Sequence, residues 1–223
     1  MPCRLSDNRR LWASLWVIGL LGYWGRHMTI SNSVKSFITT GLAAIMLTLG
    51  TAQATEVAGV QIEDRIRVGA SDLVLNGAGL RKRLIVNVYV AGLYLIEKKT
   101  APADVINLAG PKRVAMTLMR DLSAQTLVDA LNEGIKSNTP EPEWLKLKPA
   151  SDELSSTMLT VKEAKKGDVV ALDFLPDSGT QVLVNGRPLG KPIAGADFYK
   201  ALLRIWIGES PVDSGLKKGL LGG

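Results

Sequence analysis

Three side chains in one stretch of the sequence have the chemistry of a binding site: Arg81, Asn87 and Tyr89. A guanidinium neutralises a carboxylate or a phenolate, and an amide or a phenol orients such a ligand through hydrogen bonds. Polar groups on an otherwise apolar strand face are typical of a cleft that binds an amphiphile. The alternatives are an ordinary surface charge at Arg81 and a core aromatic with a satisfied hydroxyl at Tyr89.

The elements that must position these side chains are strands. From Leu84 onward the residues alternate, with one apolar set (Leu84, Val86, Val88, Val90) and one set that contains polar groups (Ile85, Asn87, Tyr89, Ala91). We expect the apolar set to face the main core. Arg81 and Tyr89 are eight residues apart, about 26 Å along a straight strand. They can therefore contact one ligand only if the chain bends or folds back.

Gly77-Ala78-Gly79 precedes Arg81 and resembles a fragment of a phosphate-binding loop. No Lys-Ser pair follows it, and a strand follows where a phosphate site needs the N-terminus of a helix. A turn or bulge in a sheet is the favoured interpretation. We therefore expect Leu73 to Leu95 to be extended structure interrupted by this glycine turn.

The segment that begins at Met28 has the features of a secretory signal peptide. Lys35 supplies the positive charge, Phe37 to Leu49 is an apolar run of 13 residues, and Ala52-Gln53-Ala54 is a small-x-small site. A membrane span needs about 20 apolar residues. We therefore expect residues 28–54 to be removed by cleavage after Ala54, and the protein to be periplasmic.

Residues 1–27 precede this signal peptide and hold a second apolar run, Leu11 to Trp24. We interpret them as an over-long gene start with Met28 as the true initiator. The alternative is a genuine extension that inserts into the membrane. Only an uncleaved N-terminus is then expected to contact a membrane, and the working domain is residues 55–223.

The composition of residues 55–223 excludes several classes of function. The whole chain has a net charge of +6, but these residues retain 22 basic and 20 acidic side chains, so we expect no nucleic-acid partner. The only cysteine and the only histidine, Cys3 and His27, lie before the domain. This excludes a thiolate nucleophile, a Ser-His-Asp triad, a disulfide, a Cys/His zinc site and haem ligation by these residues. We expect no metal and no cofactor.

The remaining pattern predicts one α+β domain with a large, mostly antiparallel sheet, because hairpin signals dominate and crossover helices are few. Asn185-Gly186 predicts a tight hairpin turn, and Ser123 is a candidate N-cap. The predicted helices are Ala101–Leu108, Ala124–Ile135, Ser151–Leu159, Ala196–Ile207 and Leu216–Leu221, and the segment Thr139–Pro149 is predicted to be a loop or a broken helix. The predicted strands are two within Val57–Val68, the extended run Leu73–Leu95, and Arg113–Met119, Asp168–Leu175 and Thr180–Val184.

Five motifs in this order resemble the chalcone isomerase-like family, in its exported bacterial branch. They are LNGAGLR, VYVAGLYL, KGDVVALDFLPDSGT, VLVNGRPLG and DFYKALLRIWIGESPVDSGLKKGLLG, and together they extend from about Val60 to Leu221. The resemblance implies an open-faced β-sandwich, in which helices cover one side of a large antiparallel sheet and leave a cleft.

In the plant chalcone isomerases of this family, the glycine-bracketed arginine neutralises the substrate phenolate. A strand threonine and a tyrosine hold a water against the developing enolate, and an asparagine and a threonine bind the far ring. The resemblance places Arg81 at the arginine, Tyr89 at the strand threonine and Ile205 at the C-terminal threonine. The tyrosine and the asparagine fall within Ala124 to Asn132, where the sequence has no tyrosine. Loss of one such donor typically costs about 10²–10³ in rate.

The family also includes non-catalytic fatty-acid binders, in which an arginine and a tyrosine hold the carboxylate at the mouth of an apolar cavity. Arg81 and Tyr89 match this pair in type. The leading hypothesis is a periplasmic protein that binds a fatty-acid-like anionic amphiphile without catalysis. The alternatives are an isomerase of the chalcone type and an interaction module of the cell envelope without a small ligand.

Overall fold

The computed structural model describes residues 54–223. The expected gene start, residues 1–27, and the expected signal peptide before Ala54 lie outside the described residues. The described strands are β1 Ala54–Val57, β2 Val60–Glu63, β3 Arg65–Val68, β4 Ser71–Arg83, β5 Val86–Leu95, β6 Lys112–Leu118, β7 Leu122–Ser123, β8 Glu163–Ala164, β9 Val169–Leu175, β10 Gly179–Val184 and β11 Arg187–Ile193. The described helices are α1 Pro102–Asn107, α2 Ala124–Ser137, α3 Glu141–Met158, α4 Ala196–Ile207 and α5 Ser214–Leu220. Within residues 54–223, no helix combines the length and the apolar character needed to cross a bilayer.

Seven strands form one antiparallel sheet in the order β11-β10-β9-β6-β5-β4-β3. Strands that are consecutive in sequence pair within each half of the sheet, with α1 in the connection between β5 and β6, and the central β6–β9 pair joins the two halves. The connection from β6 to β9 carries α2 and α3, whereas α4 and α5 follow the last strand. The predicted fold class, α+β with a large antiparallel sheet layered with helices, is confirmed.

The main core lies between the sheet and the helices, and α4 contributes its largest buried side chains, Phe198, Tyr199 and Trp206. A smaller apolar cluster, which includes Ile62, lies on the other face of the sheet. Strand β5 has buried side chains on both faces, because it lies between β4 and β6 and both faces are covered. The expected orientation of this strand is confirmed for Val88, which belongs to the main core, but is wrong further along: Tyr89, Ala91, Leu93 and Leu95 also belong to the main core, and Val90 belongs to the smaller cluster. Alternation does not distinguish the faces when both are apolar.

The chain turns at Leu84-Ile85 and not at the glycines, so the predicted position of the turn is wrong. Gly77 and Gly79 lie inside β4, where a bulge shifts the register between Leu75 and Gly77. Helix α5 packs against this part of the strand so closely that a Cβ on Gly77 would clash with the carbonyl oxygen of Gly219. The glycines therefore serve the close approach of a helix, and the interpretation as a bulge in a sheet is confirmed.

The segment from Thr139 to Pro149, expected to be a loop or a broken helix, is mostly the first half of helix α3. Pro142 lies in the first turn, where the backbone N–H has no helical partner in any case. Pro149 lies inside the helix and removes one hydrogen bond. The helix persists because one face is buried at the helical spacing: Leu147, Ser151, Leu154 and Met158.

We expect Gly77→Ala to lower the free energy of unfolding by about 2–3 kcal/mol, because the new methyl group must push two backbones apart. Gly79→Ala is the matched comparison. Its Cβ would lie 3.0 Å from Leu216 Cδ1 and 3.3 Å from the Leu216 Cα and carbonyl oxygen, which is a milder approach to backbone than at Gly77, so its effect should be smaller. Urea unfolding of both variants measures the difference. Equal effects would show that the approach of α5 is not restricted by Gly77.

Candidate functional site

The β4–β5 hairpin brings Arg81 directly opposite Tyr89, although the two residues are eight positions apart. Opposite residues of an antiparallel pair point to the same face of the sheet. The guanidinium carbon of Arg81 lies 5.5 Å from the centroid of the Tyr89 ring, which is a cation–π distance. The chain folds back between Arg81 and Tyr89, so the two side chains lie close together despite their separation in sequence.

A bulge between Arg81 and Lys82 follows this pair and is held by Asp213. Asp213 Oδ2 accepts a hydrogen bond of 3.1 Å from the backbone N–H of Lys82, and its Oδ1 caps helix α5 by accepting one of 2.9 Å from Leu216 N. Because both carboxylate oxygens accept backbone hydrogen bonds, this aspartate connects the hairpin to the helix that packs against β4.

A cleft of about 1050 Å³ opens beside the hairpin. One wall is the end of the hairpin with Arg81, and the opposite wall is helix α2. The strand end at Arg120 and the loop after α4 complete it. The apolar lining residues are Leu84, Val86, Val88, Leu122, Leu127, Ala130, Pro211 and Val212, and the charged ones are Arg81, Lys82, Arg83, Arg120, Asp121, Asp129 and Glu133.

Basic and acidic side chains lie on different walls of the cleft. The basic residues Lys82 and Arg83 belong to the hairpin beside Arg81, whereas Asp129 and Glu133 lie on α2. The carboxylate of Asp121 is already hydrogen-bonded, because its Oδ1 accepts a hydrogen bond of 2.8 Å from Lys166 N. This hydrogen bond lowers the pKa of the Asp121 carboxyl. A bound anion is therefore favoured at the hairpin wall.

Arg81 is partly buried, whereas the other basic residues of the cleft, Lys82, Arg83 and Arg120, are exposed. The Nε of Arg81 is fully buried without a hydrogen-bond partner. Among residues 54–223, no salt bridge includes Arg81. Partial burial of a charge without a counter-ion costs free energy, and an anionic ligand in the cleft would offset part of that cost.

The ring of Tyr89 packs against the guanidinium of Arg81, but Tyr89 does not line the cleft. It is 4% exposed, and its hydroxyl oxygen accepts a hydrogen bond of 2.9 Å from Trp206 Nε1. Burial raises the pKa of Tyr89, and the Arg81 charge and the Trp206 hydrogen bond counteract this rise only in part. The phenol therefore stays neutral, and its hydrogen bond to Trp206 fixes the ring against which the guanidinium packs.

Asn87 lies nearer the hairpin tip, opposite Lys82 in the register, and is half-buried. It does not line the cleft. The structure therefore brings Arg81 and Tyr89 together and leaves Asn87 apart from them.

Sequence reasoning missed the contributions of Arg120, Glu133 and the loop from Ser210 to Val212 to the cleft. Arg120 was indistinguishable from a surface charge, and Glu133 from the solvated face of a helix. No local pattern identifies them, because the cleft forms only when α2 and the loop after α4 pack beside the hairpin. Within the described part of the chain, the acidic residues form no cluster of three or more that could hold a metal ion.

The sequence model described as chalcone isomerase-like matches residues 54–222, nearly the whole of the described chain. The chain belongs to the chalcone isomerase-like family. A crystal structure of a fatty-acid binding protein from Arabidopsis thaliana has a similar fold, with a TM-score of 0.62 and 16% sequence identity. The match covers 76% of this chain and 96% of the plant protein. No curated protein matches the sequence.

Two other positions that the family resemblance connects with plant isomerases, Ile205 and Asn132, lie outside the cleft, whereas Leu127 and Ala130 of the range Ala124 to Asn132 line it. Ile205 is buried in the main core. Asn132 Oδ1 accepts a hydrogen bond of 2.5 Å from Ser151 Oγ, and its Nδ2 donates one of 3.1 Å to Ser155 Oγ. The side chain of Asn132 therefore connects α2 to α3 and is not directed to a ligand.

We expect Tyr89→Phe to lower the free energy of unfolding by about 1–2 kcal/mol, because the buried Trp206 Nε1–H loses its acceptor. The raised pKa of Tyr89 adds a pH dependence. A proton held more tightly in the folded state contributes stability that is fully present below the ordinary tyrosine pKa and is lost as the pH rises above it.

The deficit of Tyr89→Phe relative to the unsubstituted protein should therefore be constant between pH 7 and 9 and shrink above about pH 10. Denaturant unfolding of both proteins across this range measures it. A deficit that grows above pH 10 would contradict the assignment of a buried, neutral phenol.

Proposed function

We propose that this protein is an exported, non-catalytic binding protein for a fatty-acid-like anionic amphiphile, with Arg81 as the anchor of the carboxylate. The observation that carries the proposal is the partly buried guanidinium of Arg81, which has no counter-ion among the described residues. A charged hydrogen bond to a carboxylate is worth about 1.5–3 kcal/mol.

The cleft has the lining that the apolar tail of such a ligand needs. Val88 lies next to the Arg81–Tyr89 pair, and Leu127, Ala130 and Val212 line the surfaces beyond it. Each methylene buried there contributes about 0.8 kcal/mol. The volume of about 1050 Å³ is at the upper end of ordinary small-molecule sites, about 300–1000 Å³, so the cleft has room for a long chain.

Family membership and the plant fatty-acid binding protein of the same fold support a binding role. The geometry favours it over cyclisation. The hydroxyl of Tyr89 is engaged by Trp206, and Ile205 has no hydroxyl at the position of the family threonine. The observations supply an electrostatic anchor, but none of the described tyrosines lines the cleft, and the positions of the two family threonines hold Tyr89 and Ile205.

Arg81→Gln should weaken dodecanoate binding by about 10- to 100-fold, because it removes the charge and keeps most of the side-chain stem. It should change the binding of methyl dodecanoate little, because that ligand has no carboxylate. Arg65→Gln on strand β3, outside the cleft, is the matched control and should leave both affinities unchanged.

Isothermal titration of the two ligands against the three proteins gives the comparison. Mass spectrometry of lipids carried by the purified protein and by Arg81→Gln provides an independent reading. Equal affinities in all three proteins, with no carried lipid, would refute Arg81 as the anchor.

Export to the periplasm is part of this proposal. The family match begins at residue 54, beside the expected cleavage site after Ala54. The chain expressed in a Gram-negative host should be recovered from the periplasmic fraction with the mass of a protein that starts at Thr55. Ala54→Leu should block this processing, because the −1 position needs a small residue. An intact chain in the cytosol would contradict export.

A further inference from the structure

The tip of the β4–β5 hairpin exposes two large aliphatic side chains. Leu84 is 94% and Ile85 is 96% exposed, and Val86 beside them is also exposed. A two-residue hairpin turn normally uses Asn, Asp or Gly, and the β10–β11 turn of this protein has Asn185-Gly186. Leu84 instead adopts a φ of +54°, in the left-handed region that a leucine rarely occupies. Neither turn formation nor core packing accounts for the residues at this tip.

Three basic side chains lie near this hydrophobic tip. Lys82 and Arg83 precede it on β4, and Arg120 lies beside it on the wall of the same cleft. All three are exposed, and none takes part in a salt bridge among the described residues. Aliphatic side chains flanked by three cations fit a surface that is negatively charged outside and apolar beneath.

We propose that the tip, Leu84 and Ile85, inserts into the surface of a membrane that contains anionic lipids, while Lys82, Arg83 and Arg120 contact the headgroups. Charge complementarity favours this occupant. A protein partner fits less well, because a stable interface buries about 1,200–2,000 Å² and the tip presents only a few apolar side chains. This inference departs from the expectation that only an uncleaved N-terminus contacts a membrane.

Docking through the tip would place the cleft at the lipid surface. Leu84 and Val86 belong to the hairpin end and also line the cleft. Apolar side chains therefore continue from the tip to Val88, which lies next to Arg81. Membrane docking does not require the proposed ligand. Ile85 does not line the cleft, and a change there therefore tests docking separately from binding.

The test places an environment-sensitive dye at the tip of the full chain. Cys3 is the only cysteine, so Cys3→Ser with Leu84→Cys gives a single labelling position. Ser178→Cys in the same background is the matched control. Its β9–β10 turn is exposed and lies at the opposite end of the sheet, because the hairpin end of β5 pairs with Leu118 whereas the β9–β10 turn follows the Arg113–Asp173 end. Titration uses vesicles of phosphatidylglycerol mixed with phosphatidylcholine, and vesicles of phosphatidylcholine alone.

The label at position 84 should report an apolar environment with the anionic vesicles, and the label at position 178 should not. Ile85→Ser should raise the lipid concentration for half-maximal response by about tenfold or more. Each of Lys82→Gln and Arg83→Gln should raise it about fivefold on anionic vesicles only. The dodecanoate affinity of Ile85→Ser should be unchanged.

Three outcomes would overturn docking through the tip. The first is an equal response of both labels, and the second is a response that is insensitive to Ile85→Ser. The third is an Ile85-dependent dimer in sedimentation without vesicles, which would assign the tip to a second copy of the chain.

Discussion

The hydrogen bond from Trp206 Nε1 to the Tyr89 hydroxyl is the contact on which the site depends. It joins the centre of the sheet to α4, the helix with the largest buried side chains. Because Tyr89 is fixed in this way, its ring holds the guanidinium of the facing residue, Arg81, at 5.5 Å. The phenol stays neutral because burial raises its pKa, so the ring does not supply a counter-charge. The arginine therefore keeps a positive charge that the protein itself does not neutralise.

The charges of the cleft are unequally distributed between its walls. The hairpin wall is basic and α2 is acidic, so an amphiphilic anion has one favourable orientation, with its carboxylate at Arg81 and its tail toward Leu127 and Val212. Asp213 lies near the hairpin, yet its oxygens are occupied by backbone N–H groups of Lys82 and of α5. A carboxylate that would otherwise compete for Arg81 is thus used to hold the bulge beside it.

Particular residues show why some elements were predictable. Ser123 caps α2 by accepting the Thr126 N–H, and Asn185-Gly186 forms the β10–β11 turn with both φ values positive, as their types predict. Leu84-Ile85 was missed as a turn because neither residue has the conformational preference of one. The second half of helix α3 was predicted as Ser151–Leu159, but its first half was missed because its prolines signal interruption, whereas burial of one face stabilises the helix against the loss of a backbone hydrogen bond.

The sequence by itself determined the α+β class, the family and the candidate arginine, because hairpin signals, helical spacing and short motifs are local properties of the chain. The tertiary structure decided that Arg81 faces Tyr89, that Tyr89 is bound by Trp206, and that α2 forms the other wall of the cleft. It also decided that Asn87 lies apart from the cleft. The physical reason is that a site depends on distances between residues far apart in the chain, such as the 117 positions between Tyr89 and Trp206. Those distances are set by the register of strands and the packing of helices, and no local pattern encodes them.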